Sequence, residues 1–244
     1  MKWIRLVLVE LRKSTDTRAS RSLLAIVALL GAGCALLGST EGPDLSAFVG
    51  SALLPLPVLL PIIAVLAATG DWTQRSSLTT FALVPRRGHV LGARLVAAVV
   101  LVLAVAASVA AIAFGVFAVL HPSNLAVTDW GEFGATLWSV TALAIASALT
   151  GVAMGYLLLN TPLAIAVTLI VPITYDLVIS LNLPDLSPWI SSLAFSEWLA
   201  KPQWSWLSRS DEAIGFGSAV TSFALWTLLP LSAGWIRQLG KEVK

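Results

Sequence analysis

The side chains able to do acid–base, nucleophilic or metal chemistry are few in this sequence and lie far apart. The two histidines, His89 and His121, flank opposite ends of one long apolar segment, and Cys34 is the single cysteine. The sequence has no HExxH motif, and neither a serine–histidine nor a paired-carboxylate site can be built within its apolar segments. We therefore expect no enzymatic activity, no metal site and no proteolytic function in this chain.

A nucleotide-binding loop is missing as well. Gly240-Lys241 is followed by Glu242, and no glycine stands five residues before Gly240, so the GxxxxGK[ST] pattern is absent. We expect that the chain cannot bind ATP in this way. Energy for any work that it performs would come from another subunit or from a gradient.

The polar stretch 70–94 is the most informative part of the chain, with the sequence GDWTQRSSLTTFALVPRRGHVLGAR. Asp71 is a good N-cap residue and Pro85 stops a helix, so the pattern predicts a short helix over about 72–84. Trp72 would rest on a bilayer or on a partner. A loop that only sets membrane orientation explains the arginines equally well, but it does not explain a capped helix.

The elements around this stretch are apolar. The 244 residues are 57% hydrophobic and 11% charged, with a mean hydropathy of +0.88, whereas soluble domains are about 25% charged. Each bilayer crossing needs about 20 apolar residues. The candidate spans are 22–38, 48–69, 95–120, 136–159, 162–181 and 217–236. The sequence therefore predicts an all-α membrane protein with six transmembrane helices in one domain, residues 1–244.

Two local features refine this prediction. Pro55, Pro57 and Pro61 remove backbone donors from the second span, which predicts a kinked helix packed inside a bundle. Asn160 and Thr161 leave room only for a tight turn between the fourth and fifth spans.

The basic residues predict the orientation of the spans. Thirteen of the 15 Lys and Arg residues fall before the first span, between the second and third, or after the last. The first two connections on the other side contain acidic residues and no Lys or Arg. Since cytoplasmic loops retain Lys and Arg, both termini and the loop 70–94 are predicted to be cytoplasmic.

The two sides of the membrane are predicted to carry different polar segments. Residues 1–21 are predicted to form a cytoplasmic interfacial helix, because apolar and basic residues occupy opposite faces of it. Residues 14–17 are predicted to separate this helix from the first span. The outer loop 182–216 contains four tryptophans, which favour the membrane interface. Its segments 188–199 and 203–207 would lie on or dip into the outer leaflet, either as a lid or without a function.

Asp176 is the sole acidic residue within the predicted spans. Ionisable groups inside a membrane are candidates for function. Asp176 is also close enough to the outer end of the fifth span to be hydrated, so an intramembrane polar site and a hydrated carboxylate near the surface both stay open.

The order of these segments resembles the type-2 ATP-binding-cassette (ABC) exporter permease family over nearly the whole chain. The resemblance rests on the amphipathic leader and on three sequence runs. They are GDWTQRSSLTTFALVPRRGHVLGARL at 70–95, GVAMGYLLLNTPLAIAV at 151–167 and WTLLPLSAGWIRQLGKEV at 226–243. Asp71 departs from the family pattern, in which glutamate is more usual.

The resemblance implies a multi-pass subunit in the plasma membrane, surrounded by lipid and exporting a substrate. Its partners would be cytoplasmic ABC ATPase subunits, which hold the ATP and Mg, and a second permease subunit that is the same or a different chain. The loop 70–94 would be the coupling loop, without any role in binding nucleic acid. The residues expected to contact the ATPase are Asp71, Trp72, Arg75, Arg86 and Arg87.

Few charges line the spans, so a hydrophobic or amphipathic substrate is favoured. Two other functions stay open on sequence grounds. One is a non-transporting membrane scaffold or immunity protein that acts by binding, and the other is a transporter driven by a gradient.

Overall fold

The computed structural model describes residues 3–16, 18–38, 44–73, 87–183, 185–200 and 215–240, and all secondary structure within them is helical. The first helices are α1 (Trp3–Asp16), α2 (Arg18–Gly38), α3 (Leu45–Leu53), α4 (Leu56–Thr73) and α5 (Arg87–Leu120). A 3-10 turn (Pro122–Val127) leads to α6 (Trp130–Leu158), α7 (Thr161–Asn182), α8 (Ser187–Ile190) and α9 (Ala194–Ala200). The last are α10 (Phe216–Phe223), a π-helical segment (Ala224–Leu228) and α11 (Leu229–Gly240).

Several helices are long and apolar enough to cross a membrane. Within the described residues there are four such helices, or five when α3 and α4 are counted as one bent span. The apolar part of α2, Ala25–Cys34, is shorter than a full crossing. This architecture is consistent with the predicted multi-pass membrane protein, and the sixth span stays a prediction.

The second predicted span is kinked, as its prolines indicated. The axes of Leu45–Leu53 and Leu56–Trp72 differ by 43°. Leu54 and Pro55 lie at the break, and Pro61 stands inside α4. Most of α3 and α4 is buried among the other helices, so the prediction of a kinked, packed span is confirmed.

Helix α6 packs closely against two neighbours because glycines replace side chains at the contacts. A Cβ atom on Gly151 would lie 2.4 Å from the carbonyl oxygen of Pro61 in α4. A Cβ atom on Gly234 would lie 2.7 Å from the backbone nitrogen of Leu157, so α11 approaches α6 equally closely. Small residues are the usual means by which membrane helices come into backbone contact.

A tight turn joins α6 to α7, as predicted. Leu159 has a φ of 56°, in the left-handed region, and its N–H donates to the Gly155 carbonyl at 3.0 Å. Asn160 then caps α7, its Oδ1 accepting from the Leu163 N–H at 3.1 Å. This turn lies at the same end of the bundle as α1, the start of α5 and the end of α11, and we call it the basic end.

The ends of four helices differ from the sequence-based boundaries. Helix α1 ends at Asp16 and α2 begins at Arg18, so 18–21 continue the first span rather than the interfacial helix. Helix α4 extends to Thr73 and α5 begins at Arg87, so only 74–86 remains of the predicted loop 70–94, and it lies outside the described residues.

The prediction that Asp71 caps a new helix is wrong. Asp71 lies in the last turn of α4, because the apolar helix before it continues without a break. Its carboxylate accepts hydrogen bonds from Lys13 and Arg94. The predicted helix over 72–84 falls mostly outside the described residues.

Candidate functional site: a buried charge cluster at the basic end

Arg94 is the largest side chain among those that are almost fully buried, with 1% of its surface exposed. It stands seven residues into α5, about 10 Å along the axis from the start of the helix. A buried guanidinium is costly unless each of its N–H groups finds a partner.

Three different atoms of the Arg94 guanidinium reach three different acceptors. Nε donates to Glu10 Oε2 at 3.2 Å, and one terminal nitrogen donates to the carbonyl oxygen of Ala68 at 3.3 Å. The other terminal nitrogen pairs with Asp71 Oδ2. Arg94 therefore joins α5 to α1 and to two successive turns at the end of α4.

Lys13 closes the arrangement from the solvent side. Its Nζ donates to Glu10 Oε1 and to Asp71 Oδ1, each at 3.2 Å. Both carboxylates thus bridge the same two cations, and the four side chains, Glu10, Lys13, Asp71 and Arg94, form the charge cluster. The two positive and two negative formal charges cancel, which lowers the cost of holding them in one apolar surrounding.

The cluster depends on how α1 packs on α5. Leu6 is buried against Val90 and Ala93 of α5. Glu10 and Lys13 follow Leu6 at helical spacings of four and seven, so they share the face of α1 that meets α5. Trp3, Ile4 and Leu8 are exposed on the protein surface, leaving an apolar strip available to lipid.

Two further hydrogen bonds at the basic end join α6 to α5 and α11 to α6. The hydroxyl of the fully buried Tyr156 donates to the Leu91 carbonyl of α5 at 2.7 Å, which fixes α6 to the start of α5. Gln238 in α11 donates through Nε2 to the Tyr156 carbonyl at 3.3 Å. The basic end is therefore a continuous assembly of α1, α4, α5, α6 and α11.

The residues predicted to contact an ATPase divide into three groups. Asp71 is 7% exposed and faces the charge cluster, so its carboxylate holds helices together and offers little surface to a partner. Trp72 and Arg87 are half-buried at the two helix ends that flank 74–86. Arg75 and Arg86 lie outside the described residues.

The structure places Asp176 far along the chain from this cluster, in α7. It is 4% exposed, and its carboxylate accepts from the Ser192 N–H at 2.9 Å and from the Ser192 hydroxyl at 2.5 Å. Asp176 therefore ties α7 to the segment between α8 and α9. Its oxygens are engaged in a contact with Ser192 that the sequence pattern did not predict.

Sequence reasoning missed three of the four cluster members. Arg94 belongs to the basic residues that predict the orientation of the spans, and Glu10 and Lys13 lie in the predicted interfacial helix 1–21. A signal was present, since Asp71 is the one acidic residue between positions 45 and 128 and Arg94 is the basic residue nearest the third apolar run. Charged residues at such positions usually pair with each other.

No protein-family model matches this chain, and no curated protein matches it in sequence. The relation to exporter permeases therefore rests on the sequence runs described above, and the function is a proposal.

Proposed function

We propose that this chain is the membrane-spanning permease subunit of an ATP-driven ABC exporter. In this proposal the segment 74–86 contacts a separate cytoplasmic ATPase subunit, and the spans form half of the transport pathway. The chain itself neither binds nor hydrolyses ATP. The basic end faces the cytoplasm in the plasma membrane, with both termini on that side.

The charge cluster is the observation that carries this proposal. It joins the helix before 74–86 to the helix after it through Asp71 and Arg94, and it joins both of them to α1. A segment whose two flanks are fixed to each other can transmit a push into the spans. With loose flanks, the same push would be absorbed in local bending.

The coupling then follows as a mechanical sequence. Closure of the ATPase subunits on ATP displaces 74–86 toward the membrane. Because the charge cluster fixes α4, α5 and α1 to one another, these helices move together. The close contact of α4 with α6 at Gly151 and Pro61 passes the displacement to the rest of the bundle. The cavity between two permease subunits then opens outward.

Copurification and ATP hydrolysis test the proposal. The full chain, purified from its native membrane, should bring down a soluble ATPase, and hydrolysis by the reconstituted complex should respond to Arg86→Glu plus Arg87→Glu. The matched control is Lys201→Glu plus Arg209→Glu, which makes the same charge change in the predicted outer loop. We expect the first pair to lower binding or hydrolysis at least about tenfold and the control pair to leave both unchanged.

An ATPase that binds and turns over normally with the first pair would overturn the coupling assignment. If no ATPase copurifies, a scaffold or immunity protein that acts by binding becomes the better explanation. Transport that persists after ATP depletion would instead indicate a gradient-driven transporter.

A further inference from the structure

A polar cavity lies in the middle of the bundle, away from the charge cluster. Its volume of about 120 Å³ is several times the space that one water molecule needs. It is bordered by α4, α6, α7, α9 and the π-helical segment. Ser147 in its wall lies about 25 Å from the start of α6 and about 17 Å from its end. The cavity is therefore deep between the two ends of the spans.

Hydroxyl groups dominate the polar part of the wall. They include those of Ser147, Thr150, Thr168, Ser196, Ser222 and Thr227. Phe195, Phe223 and Trp226 supply aromatic surface beside them. Among the described residues that line the cavity, none carries a charged side chain.

Two prolines increase the hydrogen-bond accepting capacity of this wall. Pro61 in α4 and Pro172 in α7 have no N–H, so the carbonyl groups four residues earlier lose their usual helical donors. Those carbonyls belong to Pro57 and Thr168, and both residues line the cavity. In an apolar bundle, such freed carbonyls need a donor from a neighbour, a water or a ligand.

Ser222 adds a third group that lacks a partner. It is 1% exposed, and within the described part of the chain its hydroxyl makes no hydrogen bond. It stands just before the π-helical segment Ala224–Leu228, and such segments often mark functional sites. Nearly all buried hydroxyls in proteins are hydrogen-bonded, so this unpartnered hydroxyl is a candidate contact for a molecule bound in the cavity.

The segment that carries α8 and α9 covers the cavity from the end opposite the basic end. Asp176 holds it at Ser192, and Trp226 Nε1 donates to the Ile190 carbonyl at 3.0 Å. The Thr221 hydroxyl donates to the Trp189 carbonyl at 3.0 Å. All three contacts bind one short segment to the spans.

We propose that this cavity binds the uncharged hydroxyl group of an amphipathic molecule. The hydroxyl would donate to one of the freed carbonyls and accept from Ser222, while the apolar chain lies against the aromatic wall. A carboxylate is disfavoured, because carbonyl oxygens repel it and the described residues of the wall include no cation. An alkane would leave the polar groups unpaired. The identification of this molecule as cargo rests on the proposed function, and the binding itself does not.

Thiol protection tests this proposal on the full chain in lipid nanodiscs. Cys34→Ala removes the single cysteine, and Ser196→Cys then places one reporter thiol in the cavity wall. Its rate of modification by methyl methanethiosulfonate is measured alone and in the presence of 1-decanol, decane or decanoate. We expect 1-decanol to slow the reaction at least about threefold and the other two to have no effect.

A second substitution locates the polar contact. Ser222→Ala should raise the concentration of 1-decanol that gives half protection by about 3- to 10-fold. Ser232→Ala, which removes an exposed hydroxyl bonded within its own helix, should leave it unchanged.

Equal protection by decane or decanoate, no protection by 1-decanol, or no effect of Ser222→Ala would each overturn the proposal. The assay contains no ATPase and measures no transport. Its failure would therefore leave the exporter proposal intact, and failure of the ATPase experiment would leave this result intact.

Discussion

At the scale of single residues, Arg94 has the largest consequence for stability. Its substitution by methionine would leave the carboxylates of Glu10 and Asp71 buried without the guanidinium, while the half-exposed Lys13 stays paired with both. Removing one partner of a buried ion pair costs about 3–5 kcal/mol. We expect Arg94→Met to lower the free energy of unfolding by that amount, measured by denaturant titration in detergent.

Two further variants separate charge from packing. Adding Glu10→Gln and Asp71→Asn to Arg94→Met removes the buried charges, and most of the lost stability should return. Arg12→Ala, which removes an ion pair whose side chains are 86% and 62% exposed, should have almost no effect. If Arg94→Met and Arg12→Ala lower the free energy of unfolding by the same amount, the charge cluster does not hold the helices together.

The charge cluster also illustrates what the sequence could and could not predict at this scale. The sequence singled out Asp71 as an N-cap, whereas the structure places its carboxylate in ion pairs with Lys13 and Arg94. Glu10 and Arg94 are 84 positions apart, and their pairing depends on the angle at which α1 crosses α5. Periodicity places residues on a face of a helix but does not say which other helix meets that face.

At the scale of elements, close packing between helices predicts a sharp difference between two glycines. Gly234→Ala would place a Cβ 2.7 Å from the Leu157 backbone nitrogen and 2.8 Å from the Tyr156 carbonyl carbon, forcing α11 away from α6. Overpacking of this kind costs about 1–3 kcal/mol. We expect a lower melting temperature for this variant.

Gly115→Ala is the matched control in α5, where a Cβ would meet no atom within 4 Å. Alanine is the better helix former, so this variant should melt at the same temperature or slightly higher. A Gly234→Ala protein that melts like the control would show that α6 and α11 are not in backbone contact.

The segment between α7 and α10 gives a second prediction at this scale. Asp176→Ala removes the acceptor for the Ser192 N–H and hydroxyl, so the amide of Ser192 should exchange about 10- to 100-fold faster in hydrogen-exchange measurements. Thr174→Ala removes an exposed hydroxyl bonded within α7 and should not change this rate. Unchanged exchange in Asp176→Ala would exclude a role for this carboxylate in holding the segment.

Element positions were predictable because they follow from apolar length and local turn residues. The kink at Pro55 and the tight turn at Asn160 both depend on backbone chemistry within a few residues. The end of α4 was not predictable in this way. An aspartate can cap a new helix or lie within an old one, and the residues that pair with Asp71 here come from other parts of the chain.

At the scale of the whole molecule, the structure separates two polar regions. The charge cluster fixes the flanks of 74–86 at the basic end, and the cavity lies within the bundle between its two ends. In the proposed exporter, the first region receives the force from ATP hydrolysis, and the second meets the transported molecule. Both assignments depend on which face of the membrane carries 74–86.

The location of 74–86 is therefore the most direct test of the account. In the Cys34→Ala background, Arg75, Arg86 and Ser123 are each replaced by cysteine in a separate variant. Intact cells that carry each variant are then treated with a maleimide that cannot cross the membrane. We predict that the cysteine at 123, in the exposed turn between α5 and α6, reacts in intact cells. Those at 75 and 86 should react only after the cells are permeabilised. Reaction of the cysteines at 75 and 86 in intact cells would contradict the account, because no cytoplasmic ATPase could then reach this segment.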